Sequence, residues 1–234
     1  MKVAVVSNVG VCGKTIVATQ LLGPRLHAPI LSVETTNESA ALFGVESEKV
    51  SAKKFQRIHA VLSDVDDVIL DVGASNINEF LTGLVKFDES HMEIDYYIIP
   101  AKGGTRGEIE CIKMINILSA VGVPPDRIRI VFNQVEEDAA LEFAEVIAEV
   151  TQKRNAIVNL GAAIYTTELF SLLELEKMTI DVLLSDENDY KALLRENRDA
   201  QEDDKARWRE MLGLKALARS VNRNLDEVFN AVFA

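Results

Sequence analysis

Two cysteines, three histidines and one tryptophan are all that 234 residues hold of these side chains, and each scarcity excludes a class of chemistry. Cys12 and Cys111 stand far apart, so they make neither a disulfide framework nor a zinc-ligand spacing. His27, His59 and His91 fall in unrelated segments, which leaves no metal-ligating pair and no Ser/His/Asp or Cys/His constellation. No apolar run is long enough to cross a bilayer, and Met1 leads at once into "KVAVVS" without a signal-peptide pattern. A reducing, cytoplasmic setting is expected. Positive charge is short as well: 25 Lys and Arg stand against 37 Asp and Glu, a formal net charge of -12. Such an acidic balance disfavours a large basic surface, so little direct DNA binding is expected.

What is present is enough apolar material, 48% of residues, for one large domain or two small ones. Short apolar runs alternate with helix-patterned segments. "VAVVS" (residues 3–7), "PILSVE" (29–34), "DVILDV" (67–72), "IDYYIIP" (94–100) and "RIRIVFN" (127–133) read as strands, with "AIVNL" (156–160) a weaker sixth. These runs are apolar throughout rather than alternating, the mark of strands buried on both faces. Between them, Ile109, Ile112, Ile115 and Leu118 predict one apolar helix stripe, and Leu141, Ala144, Ile147 and Ala148 another. Strand–helix alternation predicts an α/β fold: a mostly parallel sheet with helices on both faces, in three α/β/α layers. After about Asp186 the chain turns highly charged, then more apolar, as a C-terminal helical extension; Trp208 and Phe229 in it read as core contacts ahead of partner anchors.

The first strand runs into Asn8-Val9-Gly10-Val11-Cys12-Gly13-Lys14-Thr15, close to the phosphate-loop pattern G-x-x-x-x-G-K-S/T. Such a loop converges backbone N–H groups on a phosphate and adds the positive end of the following helix. Gly10 and Gly13 suit the turn, Lys14 supplies charge to the β- and γ-phosphates, and Thr15 offers a hydroxyl to Mg²⁺. Asn8 replaces the first glycine and is the next-best residue for a left-handed conformation. Residues Asn8 to Ile16 are therefore assigned to nucleotide binding, with Cys12 an inert small residue or an oxidation-sensitive one. Residues 1–185 read as a P-loop nucleotide-binding domain and 186–234 as its helical extension.

The loop, "ILSVETTNESA", "VILDVGASN" and "YYIIPAKGGTRGEI" together make the chain resemble the ParA/MinD branch of P-loop ATPases, the SIMIBI class. "DVGAS" and "GGTRGEI" are most similar to the plasmid StbB/TraL-type stability and conjugal-transfer proteins. The resemblance implies ATP or ADP with Mg²⁺, a nucleotide-dependent homodimer, and a DNA-binding partner protein of the same plasmid system. It implies Asp71 as the second metal-site residue, with Gly73 beside the γ-phosphate; a helix cap is the alternative role for Asp71. Asn133 takes the position of a base-reading residue, or is a strand-end turn residue. It is followed by Gln134-Val135-Glu136 rather than the N-K-x-D pattern of GTPases.

Two family features are missing. The K-G-G-x-G-K-S/T loop of these relatives reaches a partner's nucleotide with its first lysine, where this chain has Val9; its second glycine is Val11 here. Their D-x-D motif aligns with Glu34 and Thr36, so the water-orienting carboxylate is absent. Arg106 or Lys102 is a substitute cation, or a solvated residue in a Gly-rich turn. Glu34 or Glu38 orients water, or is structural. Lys14, Glu34 and Arg106 are thus the catalytic candidates for a slow ATPase switch. The alternatives are a nucleotide-binding module with negligible turnover and an ATP-dependent ligase resembling dethiobiotin synthetase.

Overall fold

The computed structural model describes residues 1–34 and 40–234. β1 (Lys2–Val5) leads through the loop into α1 (Lys14–Ile16), a π-helical stretch (Val17–Leu22) and α2 (Gly23–Leu26). There follow β2 (Ile30–Val33), β3 (Glu48–Lys49), α3 (Phe55–Asp64), β4 (Val68–Val72), α4 (Ile77–Lys86), β5 (Tyr96–Lys102) and α5 (Thr105–Val121). The second half holds β6 (Ile128–Val135), α6 (Ala139–Glu142), α7 (Ala144–Lys153), β7 (Ala163–Tyr165), α8 (Leu169–Glu176), α9 (Ile180–Ser185), α10 (Tyr190–Glu196) and α11 (Glu202–Phe233). All strand pairs are parallel, in the order β3-β2-β4-β1-β5-β6-β7. No helix among the described residues is long and apolar enough to cross a membrane.

Strand side chains divide between two cores by their period of two. Ala4, Leu70, Tyr97, Ile99 and Phe132 pack under α3, α4, α5 and α7. Val3, Val5, Ile69, Ile98 and Val131 pack under the helix after the loop and under α8, α9 and α11. Burial on both faces is what made these runs continuously apolar.

Three sequence expectations need correction. Residues 156–160 form no strand: Ile157 bridges Arg129 once, and the edge strand begins at Ala163. Asn159 causes the break, since its Oδ1 accepts from Gly161 N–H at 3.0 Å and turns the chain. In α5 the buried apolar side chains are Cys111, Met114, Ile115 and Leu118, while Ile109 is exposed. A strict spacing of three drifts around a 3.6-residue helix, whereas three and four alternating stays on one face. Leu141 is likewise exposed, and Phe143, Val146 and Val150 carry the burial, because the helix is broken at Phe143 between α6 and α7.

The charged C-terminal run is two helices, α10 and α11. Lys215, buried on α11, holds the chain before α10: its ammonium donates to the Asp186 carbonyl, lies 3.5 Å from the Asp186 carboxylate and sits over the Tyr190 ring. Phe229 packs against the second core with its ring 4.8 Å from Phe233, whereas half-buried Trp208 joins neither core.

The π-helical stretch has a local cause. Pro24 lacks an N–H, so an α register would leave the Gln20 carbonyl without its partner. The chain shifts register instead, with Gly23 N–H donating to Ala18 O, and the Arg25 guanidinium supplies donors to Gln20 O and Leu21 O, both at 3.1 Å. Arg25 also reaches α11, at Asn222 Oδ1 (2.9 Å) and Asp226 Oδ1 (2.7 Å). Arg25→Ala is expected to cost about 2–4 kcal/mol by leaving several carbonyls unmet. Asp226→Ala, at an exposed partner, is expected to cost under about 1 kcal/mol. Urea midpoints at unchanged m-value distinguish the two.

Candidate functional site

The loop after β1 closes on the carbonyl of Val9. That oxygen accepts from Lys14 Nζ at 2.9 Å and from Cys12 Sγ at 3.5 Å, and Val9 N–H donates to Ser7 Oγ at 3.2 Å. Lys14 is buried, so its ammonium is folded back on the loop, 3.8 Å from Cys12 Sγ. The loop is also held from beneath. Asn133 donates its Nδ2 to Cys12 O at 2.9 Å, and a Cβ on Gly13 would lie 2.1 Å from that nitrogen. Gly13 is therefore required both by this contact and by its φ of 90°.

Asn8 is not the left-handed residue of the loop. Besides Gly13, the left-handed position is Val11, at φ 56° and 85% exposed at the tip. A β-branched residue there is strained, because its Cβ crowds the backbone and no burial compensates.

On the far wall stands Asp71 in β4. The parallel register sets it beside Val5 of β1 and Ser32 of β2, on the face that packs against the loop helix. It is 2% exposed, and its Oδ2 accepts from Thr15 Oγ1 at 3.1 Å. Burial pushes its pKa up to about 6; the Thr15 hydrogen bond and the Lys14 ammonium oppose that rise, and the Glu34 carboxylate adds to it. Glu34 follows β2 and lies over Gly73, where an added Cβ would meet its Oε1 at 2.7 Å. Gly73 thus makes room for a second carboxylate beside Asp71.

These groups surround an opening of about 480 Å³, within the range of small-ligand sites. Gly10, Val11, Gly13, Lys14, Thr15, Ile16 and Glu34 line it. Asn8, Val9, Cys12, Asp71, Gly73 and Asn133 are not lining residues but lie in the loop or support it. Arg106 stands exposed in the first turn of α5 and Lys102 at the end of β5, and neither lines the opening. Thr36 and Glu38 lie outside the described residues.

Asn133 does not present its carboxamide to the opening; it is 1% exposed and committed to the loop. Its neighbour Gln134 lines the opening instead. β6 is irregular between Asn133 and Val135, and Gln134 takes a left-handed φ of 60° there, which turns successive side chains to unexpected sides. No sequence signal marks that bulge. Glu174 of α8, Leu42 and Phe43, and Ala74 and Ser75 also line the opening. Of these only Ala74 and Ser75 were near a legible motif.

Two outcomes follow for the chain without nucleotide or metal. Val11→Gly removes the strained Cβ at some cost in chain entropy, for a net gain of about 1 kcal/mol in thermal or urea unfolding. Asp71 has a folded pKa above its unfolded value, so the folded state holds the proton more tightly. Its ionisation therefore lowers stability as pH rises from 3.8 to about 6, by up to about 3 kcal/mol. Asp71→Asn is expected to flatten the stability–pH curve in that window and to raise the melting temperature above it.

No protein-family model and no curated protein matches the sequence. Solved structures do share its fold. The ATP complex of a Cyanothece McdA variant aligns with a TM-score of 0.56 at 15% identity, covering 91% of this chain and 96% of that one. The cell division ATPase MinD of Pyrococcus furiosus aligns with a TM-score of 0.54 at 15% identity, over 80% and 92% of the two chains. The MinD cell division protein of Aquifex aeolicus aligns at 0.52 and 11% identity, over 81% and 92%. The chain is built on the parallel α/β architecture of McdA and MinD, with the candidate site at the carboxyl ends of its central strands.

Proposed function

We propose that this chain is an ATP-binding molecular switch of the ParA/MinD type. The observation that carries the reading is the Thr15 hydroxyl hydrogen-bonded to buried Asp71 beneath a loop that already folds the Lys14 ammonium over itself. Main-chain amides and Lys14 would take the phosphates. Thr15 and Asp71 are hard oxygen donors and fit Mg²⁺, which binds through one or two protein groups and takes its remaining ligands from phosphate and water. The ion would neutralise a carboxylate that burial otherwise disfavours. Gln134, which lines the opening, would stand beside the nucleotide's base or sugar. Residues 1–185 form the nucleotide-binding domain in this reading. Residues 186–234 extend it, supported by α11 burying Met211, Leu214, Leu225 and Val228 in the same core as β1.

The finer reading is a role in plasmid stability or partition, or in conjugative transfer, beside a DNA-binding partner protein. "DVGAS" and "GGTRGEI" support it, and the acidic balance agrees with reaching DNA through another protein. Turnover is slow, because Val9 offers no charge and neither Arg106 nor Lys102 lines the opening. A cation reaching the transferred phosphoryl group is worth roughly three to five powers of ten in such sites. The same observation favours a second reading, a nucleotide-binding module with negligible turnover.

Calorimetry with ATP, with and without Mg²⁺, tests the proposal. Saturable heat is expected, weakened about tenfold or more by Lys14→Ala, and Asp71→Asn is expected to abolish its Mg²⁺ dependence. Absence of heat at millimolar ATP sinks the reading. Phosphate release above background, lost in Lys14→Ala, favours the switch; binding without release favours the module.

A further inference from the structure

A groove of about 1050 Å³ runs between α3 and α4, and none of its lining residues borders the nucleotide opening. Phe55 is buried beneath it, pressed against Gly83, where a Cβ would fall 2.1 Å from the ring; half-buried Phe87, 5.2 Å from Phe55, and exposed Ala60 give the groove its apolar lining. The groove is therefore preformed by packing. Its rim is basic: Lys53, Lys54 and Arg57 on one side, Lys86 on the other. In a chain of net charge -12, the stretch "KVSAKKFQR" carries four cations and no carboxylate. Arg57 is paired with Glu48, while Lys53, Lys54 and Lys86 make no ion pair among the described residues. Glu79 is the groove's one acidic lining residue.

We infer that this groove is a docking site for an acidic amphipathic helix of a partner protein. Charge complementarity supplies the acidic face, and half-buried Phe87 with exposed Ala60 receives the apolar one. A nucleic acid fits less well. Phe55 is buried and Phe87 packs against Phe55 and His59, so the groove offers no free ring face on which a base could stack. Docking is coupled to the nucleotide site through α4. This helix forms one wall of the groove and begins directly after Ala74–Asn76, whose Ala74 and Ser75 line the opening. Ligands at the two places bias the same element, so each alters the other's affinity by the same factor. Only this coupling rests on the switch reading; the docking does not.

Fluorescence anisotropy on the full chain tests it, with a labelled synthetic helix of Glu, Ala and Leu, its leucines on one face, against a DNA oligonucleotide of equal charge. The peptide is expected to bind at low ionic strength and to weaken as salt rises. The triple variant Lys53→Glu, Lys54→Glu, Lys86→Glu is expected to lose about tenfold or more of that affinity. All three side chains are exposed, and circular dichroism and melting verify that the variant folds. The peptide is further expected to shift ATP affinity in the wild type but not in the variant, whose basal ATP affinity stays unchanged. Failure of the peptide to bind, or equal binding to the variant, overturns the docking site. Tighter binding of the oligonucleotide at the same lysines assigns the groove to nucleic acid and overturns it as well. Peptide binding that leaves ATP affinity unmoved overturns the coupling alone, and retained peptide binding in a chain that shows no ATP heat sinks the switch reading while the groove stands.

Discussion

A carboxylate held almost out of water, with one hydroxyl to answer it, organises the rest of this molecule. Asp71 lies next to the end of a central strand, flanked by β1 and β2, where burial pushes its pKa up to about 6. Its compensation comes from the loop that leaves β1: Thr15 by a hydrogen bond and Lys14 by charge. The register that pairs Val5 with Asp71 brings that loop within reach. Everything else in the site keeps the loop where Asp71 needs it. Val9's carbonyl gathers Lys14 and Cys12, Asn133 clamps Cys12 from below, and Gly13 leaves room for the clamp. The loop is held by its own hydrogen bonds and by Asn133, and pre-organisation of that kind lowers the entropic cost of binding a ligand.

The helix that follows transmits this order outward. Its π-helical turn exists because Pro24 cannot complete an α register, and the freed carbonyls are met by Arg25. The same guanidinium is bonded to Asn222 and Asp226 on α11. One side chain thus joins the loop helix to the C-terminal helix, and Gln20, buried in the π turn, accepts from Ile180 N–H at 2.8 Å to tie in α9 as well. On the opposite face of the sheet, α4 leaves the site directly from Ala74–Asn76 and forms a wall of the basic groove. The site is therefore connected to an outer helix on each face of the sheet.

Charge is distributed to match. The chain is acidic overall, yet Lys14 stands within the loop and Lys53, Lys54, Arg57 and Lys86 form a basic rim at the groove. At the tip of the loop, Val11 holds a left-handed backbone that a glycine would take without strain.

Local chemistry was legible in the residues alone. The central strands could be read because burial on both faces leaves unbroken apolar runs, and the cradle because turn, cation and hydroxyl are consecutive in sequence. Asp71 could be read because a carboxylate ending an apolar strand needs a partner. What could not be read depends on contacts between distant segments or on small rotations of the backbone. The helix stripes were misplaced because a break at Phe143 and a drift of the spacing change which side faces the sheet. The last strand was misplaced because Asn159 turns the chain. A bulge after Asn133 sends that residue under the loop and Gln134 to the opening, and Glu174 arrives from a helix with no motif of its own. Residue order encodes which groups are available within a few positions of each other; only packing of the whole chain decides which side of the backbone each one shows, because that choice is made by neighbours the sequence does not place nearby.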